Sequence, residues 1–172
     1  DGYLLVLAII LPATAIVALV GLGGRGAAGI VLASLAAQVI IAIRVLVLVW
    51  ESGAPVAYVV GGWDPPLGIA LRADGVSAVM MLTSAVIFSA AAAFAWKEYR
   101  PPRGSPESRA SLVFWSALLA MASALNTLFA SADLFNLYVA LELLTFAAIP
   151  VVSLKGSAET LRAAESFAVN VL

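Results

Sequence analysis

Residues 133–150 read DLFNLYVALELLTFAAIP, an apolar run with a single carboxylate, Glu142, near its middle. The run predicts a transmembrane helix from Leu134 to Leu154. At about 1.5 Å per residue, Glu142 lies roughly 12 Å from the start of that helix. A hydrocarbon core is about 30 Å thick, so this side chain falls close to the midplane. Holding an ionised acid there costs at least a few kcal/mol, unless it stays protonated. Two readings follow: a neutral, hydrogen-bonded structural glutamate, or a proton or cation relay, the usual role of an intramembrane acid.

The rest of the chain is built for the same solvent. Its 172 residues are 63% hydrophobic and 11% charged, with a mean hydropathy of +1.08. A soluble domain is about half apolar and about a quarter charged, so the expected fold class is all-α and membrane-spanning. The net charge is −1, which gives nucleic acid nothing to bind. There is no cysteine and no histidine. Disulfides, haem, iron–sulfur clusters and the usual zinc sites lose their ligands, and no cofactor is expected.

Apolar segments are expected at about 3–20, 27–50, 76–96, 111–130, 134–154 and 161–172. That is five complete spans and the start of a sixth in a single membrane domain. The chain starts with Asp1 and stops inside an apolar run, FAVNVL, so it is expected to be the amino-terminal piece of a longer protein. Pro12 interrupts the first span, which a membrane helix tolerates when neighbours or water satisfy the freed carbonyl. GLGGRG at 21–26 is a tight connector; no strand precedes it, so it does not read as a nucleotide loop.

The second span holds Gln38 and Arg44, and Trp50 marks an interface. Arg44 is about 9 Å from the end of its span and either snorkels to water or turns a cation into the bundle. Between spans two and three, Val56–Val60 and Gly68–Leu71 are β-like and the Gly-Gly and Pro-Pro pairs are turn-forming, which predicts a short hairpin cap. The small residues of SAAAAFA in the third span suit close helix packing. Asn126 and Thr127 lie near the end of the fourth, and Asp133 is a natural N-cap for the fifth.

Charge sets an orientation. Arg25, Lys97, Arg100, Arg103, Arg109, Lys155 and Arg162, seven of the nine basic residues, lie on the first, third and fifth connectors. By the positive-inside rule those connectors are cytoplasmic and the amino terminus is outside, in a multi-pass protein of the cell membrane. On the fifth helix Tyr138, Thr145 and Phe146 share the face of Glu142. Tyr138 and Thr145 can each hydrogen-bond a carboxyl group, and Asn170 on the sixth span falls at a similar depth. Pro150 can bend the fifth helix.

The stretch DLFNLYVALELLTFAAIPVVSL resembles the DLFN-L-(Y/F)-V-x-x-E signature of the D-type subunit of Mrp-type multisubunit sodium/proton antiporters. That family is related to the antiporter-like membrane subunits of respiratory complex I and of membrane-bound hydrogenases. GGWDPPLGIALRADGVSAVMMLTSAVI resembles the segment leading into the family's third helix, and LRAAESFAVNVL resembles the start of its sixth. The resemblance implies a fourteen-helix subunit built on two inverted five-helix repeats. It also implies that Glu142 is the glutamate that pairs with a lysine on the seventh helix, beyond Leu172. The implied partners are the other subunits of a hetero-oligomeric complex, the lipid bilayer, H+ and Na+. The function implied is cation/proton antiport, with a redox-driven pump of the same fold or a passive structural subunit as alternatives.

Overall fold

The structure, a computed structural model, describes residues 1–22, 26–63, 68–99, 108–154 and 158–171. Within the last stretch the side chains at 158, 159, 161, 167, 168, 170 and 171 fall outside the description. Parts of the expected connectors, 23–25 of 21–26, 100–107 of 97–109 and all of 155–157, with Arg25, Arg100, Arg103 and Lys155, lie outside the described residues, as does Asp64.

Among the described residues six α-helices follow one another: α1 (Tyr3–Gly21), α2 (Ala27–Ser52), α3 (Gly75–Tyr99), α4 (Arg109–Ala130), α5 (Leu134–Ser153) and α6 (Ala158–Val171). The first five are long and apolar enough to cross a membrane. The fold is therefore an all-α, multi-pass bundle, with helix boundaries within a few residues of those expected from hydropathy. Gly26 and Gly53 bracket α2 with left-handed backbone, φ 68° and 60°, which glycine adopts without a steric penalty. Three side chains start the later helices. Asp74 Oδ1 accepts the Ser77 N–H at 3.0 Å, Ser108 Oγ accepts the Ser111 N–H at 3.1 Å, and Asp133 Oδ1 accepts the Asn136 N–H at 2.8 Å. Each satisfies an N–H that a helix start leaves without a partner.

Between α2 and α3 the chain forms a two-stranded antiparallel hairpin, β1 (Val56–Val59) with β2 (Ala70–Ala73). The second strand begins two residues later than the β-like stretch in the sequence. Its register follows what it touches: Leu71 and Ala73 point inward and are buried, and Leu71 bridges to Ser131 in the turn before α5. The Ala132 N–H also donates to the Ala70 carbonyl at 3.2 Å. Gly2 lies so close to the Ala57 carbonyl and Tyr58 that a β-carbon there has no room. The hairpin thus caps the end of the bundle where α1 begins and α4 stops.

Two apolar cores lie along the bundle. The one nearer the hairpin gathers Leu5, Ala8, Ala42, Val45, Leu71, Ala78, Met81 and Ala130. The other gathers Ala15, Leu19, Val31, Leu35, Ala92, Trp115, Leu118 and Leu119. At that far end Tyr99 stacks on Phe114 with centroids 4.2 Å apart, Trp115 packs edge-on to both, and Ser111 Oγ donates to the Tyr99 carbonyl at 3.0 Å. On α3, Ala78, Ala85 and Ala92 are buried at seven-residue intervals, the spacing of a close helix contact with α2.

A polar band separates the two cores, and Pro12 is its cause. Proline has no N–H, so the carbonyl of Ala8 loses its donor four residues on. The buried Gln38 of α2 donates to that oxygen from Nε2 at 2.8 Å, and the buried Asn126 of α4 donates from Nδ2 at 3.1 Å. Ser123 Oγ donates to the neighbouring Ile9 carbonyl at 2.8 Å. Three helices are joined through two adjacent backbone oxygens. The freed carbonyl is met by protein groups, one of the two solutions expected for a proline in a membrane helix.

Candidate functional site

The candidate site is the middle of α5. Glu142 is half-buried there, eight residues past Leu134 and so about 12 Å along the helix axis. Tyr138, one turn earlier, stands on the same face of the helix, near enough for its hydroxyl and the Glu142 carboxylate to interact electrostatically. The i, i+4 spacing of a helix brings these two groups together without any help from tertiary packing. Thr145 does not join them. Its hydroxyl donates to the Leu141 carbonyl at 3.0 Å, the back-bond a threonine makes when its own helix offers a nearby acceptor.

Arg44 and Asn170 do not complete the site either. Arg44 is exposed on α2, on the outward side with Ile40 and Ile43, whereas Ala42 and Val45 face the core. It does not turn into the interior of the described bundle. Moreover α2 packs on α1 and α3, while α5 packs on α4 and α6, so the two charges sit on different sides of the bundle. Asn170 belongs to α6, beside α5, but its side chain lies outside the described residues.

What distinguishes α5 is its lack of cover. In its apolar window 11% of residues are buried, against 28–39% in the other four spans. Phe135, Tyr138, Leu141 and Phe146 are all exposed, and Glu142 lies among them. The helix start is held firmly all the same: Asp133 accepts the Asn136 N–H and, at 2.9 Å, its side-chain amide. Inward-facing Asn136, Ala140 and Ala147 seat α5 on its neighbours. The arrangement is a rigidly started helix presenting a tyrosine and a carboxylate on a face that the rest of the described chain leaves open.

The polar band around Pro12 was not legible as a site in the sequence, although each member was visible in it. The signal was there in principle: a proline inside a span frees a carbonyl, and buried amides on other spans are the groups that can meet it.

Known proteins give these features a family context. No family model matches the chain. It is 29% identical over 173 aligned residues to a protein named as antiporter subunit mnhD2 in Staphylococcus saprophyticus, covering 98% of this chain and 33% of that protein. It is 31% identical over 102 residues to the D-type subunit of the Na+/H+ antiporter of Bacillus subtilis, covering 59% of this chain and 20% of that one. The chain thus spans about a third or less of the length of the curated relatives it matches. Among solved structures, a chain of the archaeal membrane-bound sulfane sulfur reductase superposes over 96% of this chain and 33% of its own length, with a TM-score of 0.81 at 24% identity. A chain of the Mrp complex of Dietzia sp. DQ12-45-1b superposes over 88% of this chain and 27% of its own length, with a TM-score of 0.72 at 21% identity. The relatives of this chain are named as antiporter subunits of the D type, and its fold is shared with chains of these two membrane complexes.

Proposed function

We propose that this chain forms part of a subunit of a multisubunit Na+/H+ antiporter and that Glu142 relays protons through it. The observation that carries the proposal is a half-buried carboxylate, with a tyrosine one helical turn away, on the least covered of the five spans among the described residues. A charge in hydrocarbon needs a partner or a proton, and an open face gives room for a partner helix. That helix supplies a lysine from beyond Leu172, and the lysine's approach or withdrawal sets whether Glu142 holds its proton. Tyr138 orients the carboxyl group and offers a hydroxyl for the next transfer. The subunit is a transporter component, not an enzyme. It works in the cell membrane with sister subunits, exchanging H+ for Na+, with its amino terminus outside.

The homologues named as antiporter subunits and the seven basic residues on alternate connectors support this reading. The test is Glu142→Gln in the full-length protein within its complex, assayed for Na+-driven proton movement in vesicles. The expected loss is about a hundredfold or more, the scale on which removal of a proton-transfer group acts. Antiport at the normal rate sinks the proposal. The likeness to a respiratory complex favours a second reading, the same fold in a redox-driven pump. Redox subunits co-purifying with the full-length protein decide for it. Orientation is tested with single cysteines in this cysteine-free chain: at Ala54 the thiol reacts with an impermeant reagent from outside, and at Ser105 it does not.

A further inference from the structure

We propose that α5 is a lever, fixed at the hairpin end and free to swing at its far end into a groove beside α4, which gives Glu142 two positions. The fixed end is the short turn between α4 and α5. Leu71 of β2 bridges to Ser131, and the Ala132 N–H donates to the Ala70 carbonyl at 3.2 Å, so the turn runs along β2 like a third strand. Ser131 Oγ donates to the Asp133 carbonyl at 3.1 Å, and the Asp133 carboxylate caps the helix through Asn136. Leu71 and Ala130 belong to one buried cluster, which anchors both sides of this junction.

The far half of α5 is held differently. Thr145 and Ser153, the two polar side chains between Leu143 and Leu154, both bond back to carbonyls of their own helix at 3.0 Å. Pro150 has no N–H, so the Phe146 carbonyl loses its helical donor and the helix is softer to bending there. The groove supplies the room. It holds about 560 Å³, with Ile16 and Val20 of α1 as one wall, Phe146 and Pro150 of α5 as the other, and Ser116 and Ala120 of α4 as the floor. Every α5 residue that lines it lies past Glu142, so the space is confined to the half that is not tied.

Small residues in the floor let one helix slide across another. Ile16 and Phe146 lie about 20 Å and 18 Å along their helices from the hairpin end, so closing the groove brings them level with each other. Acyl chains are as apolar as these side chains, so no hydrophobic force drives the closing and the two positions differ only in packing. Small differences of that kind are what a two-position element needs. From Leu134, Glu142 and Pro150 lie about 12 Å and 24 Å along the axis. A shift of about 4 Å at Pro150 therefore moves Glu142 by about 2 Å. That distance separates a charge-assisted hydrogen bond, at about 2.8 Å, from a pair that has parted. The use of the swing in transport rests on reading Glu142 as the relay; the swing itself does not.

The test uses the full-length protein in its complex, in vesicles, with pairs of spin labels in a background without other cysteines. Labels at the exposed Val20 and Val152 report the far end, and labels at the exposed Tyr3 and Leu134 report the hairpin end. Two Val20–Val152 distances are expected, differing by about 4–5 Å and changing in proportion with pH or Na+, against one constant Tyr3–Leu134 distance. Both distances remain readable in Glu142→Gln, whatever that variant does to antiport, so a failed relay and a failed lever are told apart. Oxidising the pair Ile16→Cys, Phe146→Cys locks the groove shut. Antiport is then expected to fall about tenfold or more, as misplacing a reacting group by an ångström or two does, and to return on reduction. Ala70→Cys with Ala132→Cys, opposite each other in the bridge, locks the end that is already fixed and leaves antiport unchanged when oxidised. A single unchanging Val20–Val152 distance overturns the proposal, as does a Tyr3–Leu134 distance that changes as much. So do a 16–146 pair that never bridges, normal antiport once it has bridged, and loss of antiport on bridging 70 to 132.

Discussion

Removing both amide donors from the Ala8 carbonyl should cost more than the two single removals together, and Pro12 should be the reason. In the wild-type chain that oxygen has two partners, Gln38 at 2.8 Å and Asn126 at 3.1 Å. Losing one leaves the other in place, and side-chain hydrogen bonds between membrane helices are worth about 0.6 kcal/mol on average. Losing both strands a buried carbonyl, which costs about 1–3 kcal/mol. The double variant Gln38→Leu, Asn126→Leu should therefore exceed the sum of the singles by about 1 kcal/mol. Hydrogen exchange of α1 peptides in the full-length protein reads this as an extra acceleration of about five- to tenfold. The same cycle in a Pro12→Ala background is the control. That substitution restores a backbone N–H to the Ala8 carbonyl, and the coupling should vanish. Equal coupling in the two backgrounds refutes the reasoning.

Asp133→Ala should loosen the first turn of α5, because one carboxylate accepts both the backbone and side-chain N–H groups of Asn136. A cap of this kind is worth about 1 kcal/mol, read as exchange about fivefold faster at residues 134–138. The Ser77 N–H holds the Asp74 carboxyl below its ordinary value, with Arg72 acting in the same direction. A depressed folded-state value means that the cap's contribution is complete above the unfolded value of about 4 and is lost as pH falls through the folded value below it. The Ser77 amide resonance should report that titration, and in Asp74→Asn it should stay flat. Ser34 is buried with no hydrogen-bond partner for its hydroxyl among the described residues, so Ser34→Ala should be neutral or stabilising by up to about 1 kcal/mol. Exchange in α2 measures it, and clear destabilisation would mean that the hydroxyl has a partner.

The spans were legible because each is a run of apolar residues long enough to cross a bilayer, a property that needs no knowledge of neighbours. The cap at Asp133 was legible for the same reason, since it acts three residues away. The placing of Tyr138 one turn from Glu142 is a matter of helical spacing, which needs no neighbour either. What failed to show is what depends on distant residues. The register of β2 is set by Leu71 meeting Ser131, sixty residues on in sequence. The outward direction of Arg44 was hidden because α2 is apolar around most of its circumference, so no stripe in the sequence marks its inner face. Thr145 read as a partner for Glu142 by spacing, but a helical hydroxyl has a carbonyl of its own turn within reach and takes it first.

The clamp at Pro12 also has an order in time. Gln38 emerges soon after Ala8 during synthesis, whereas Asn126 follows 118 residues behind the carbonyl it meets. At a translation rate of about 5–20 residues per second, the interval between Gln38 and Asn126 is roughly 5 to 20 s. Through that interval Gln38 alone shields the open carbonyl, and α1 and α2 travel as a hairpin joined by a single polar contact. Asn126 then closes the band when α4 arrives. The glutamine is the early partner and the asparagine the late one, and a variant lacking Gln38 would be most vulnerable before the protein is complete, when quality control in the membrane has longest to find it.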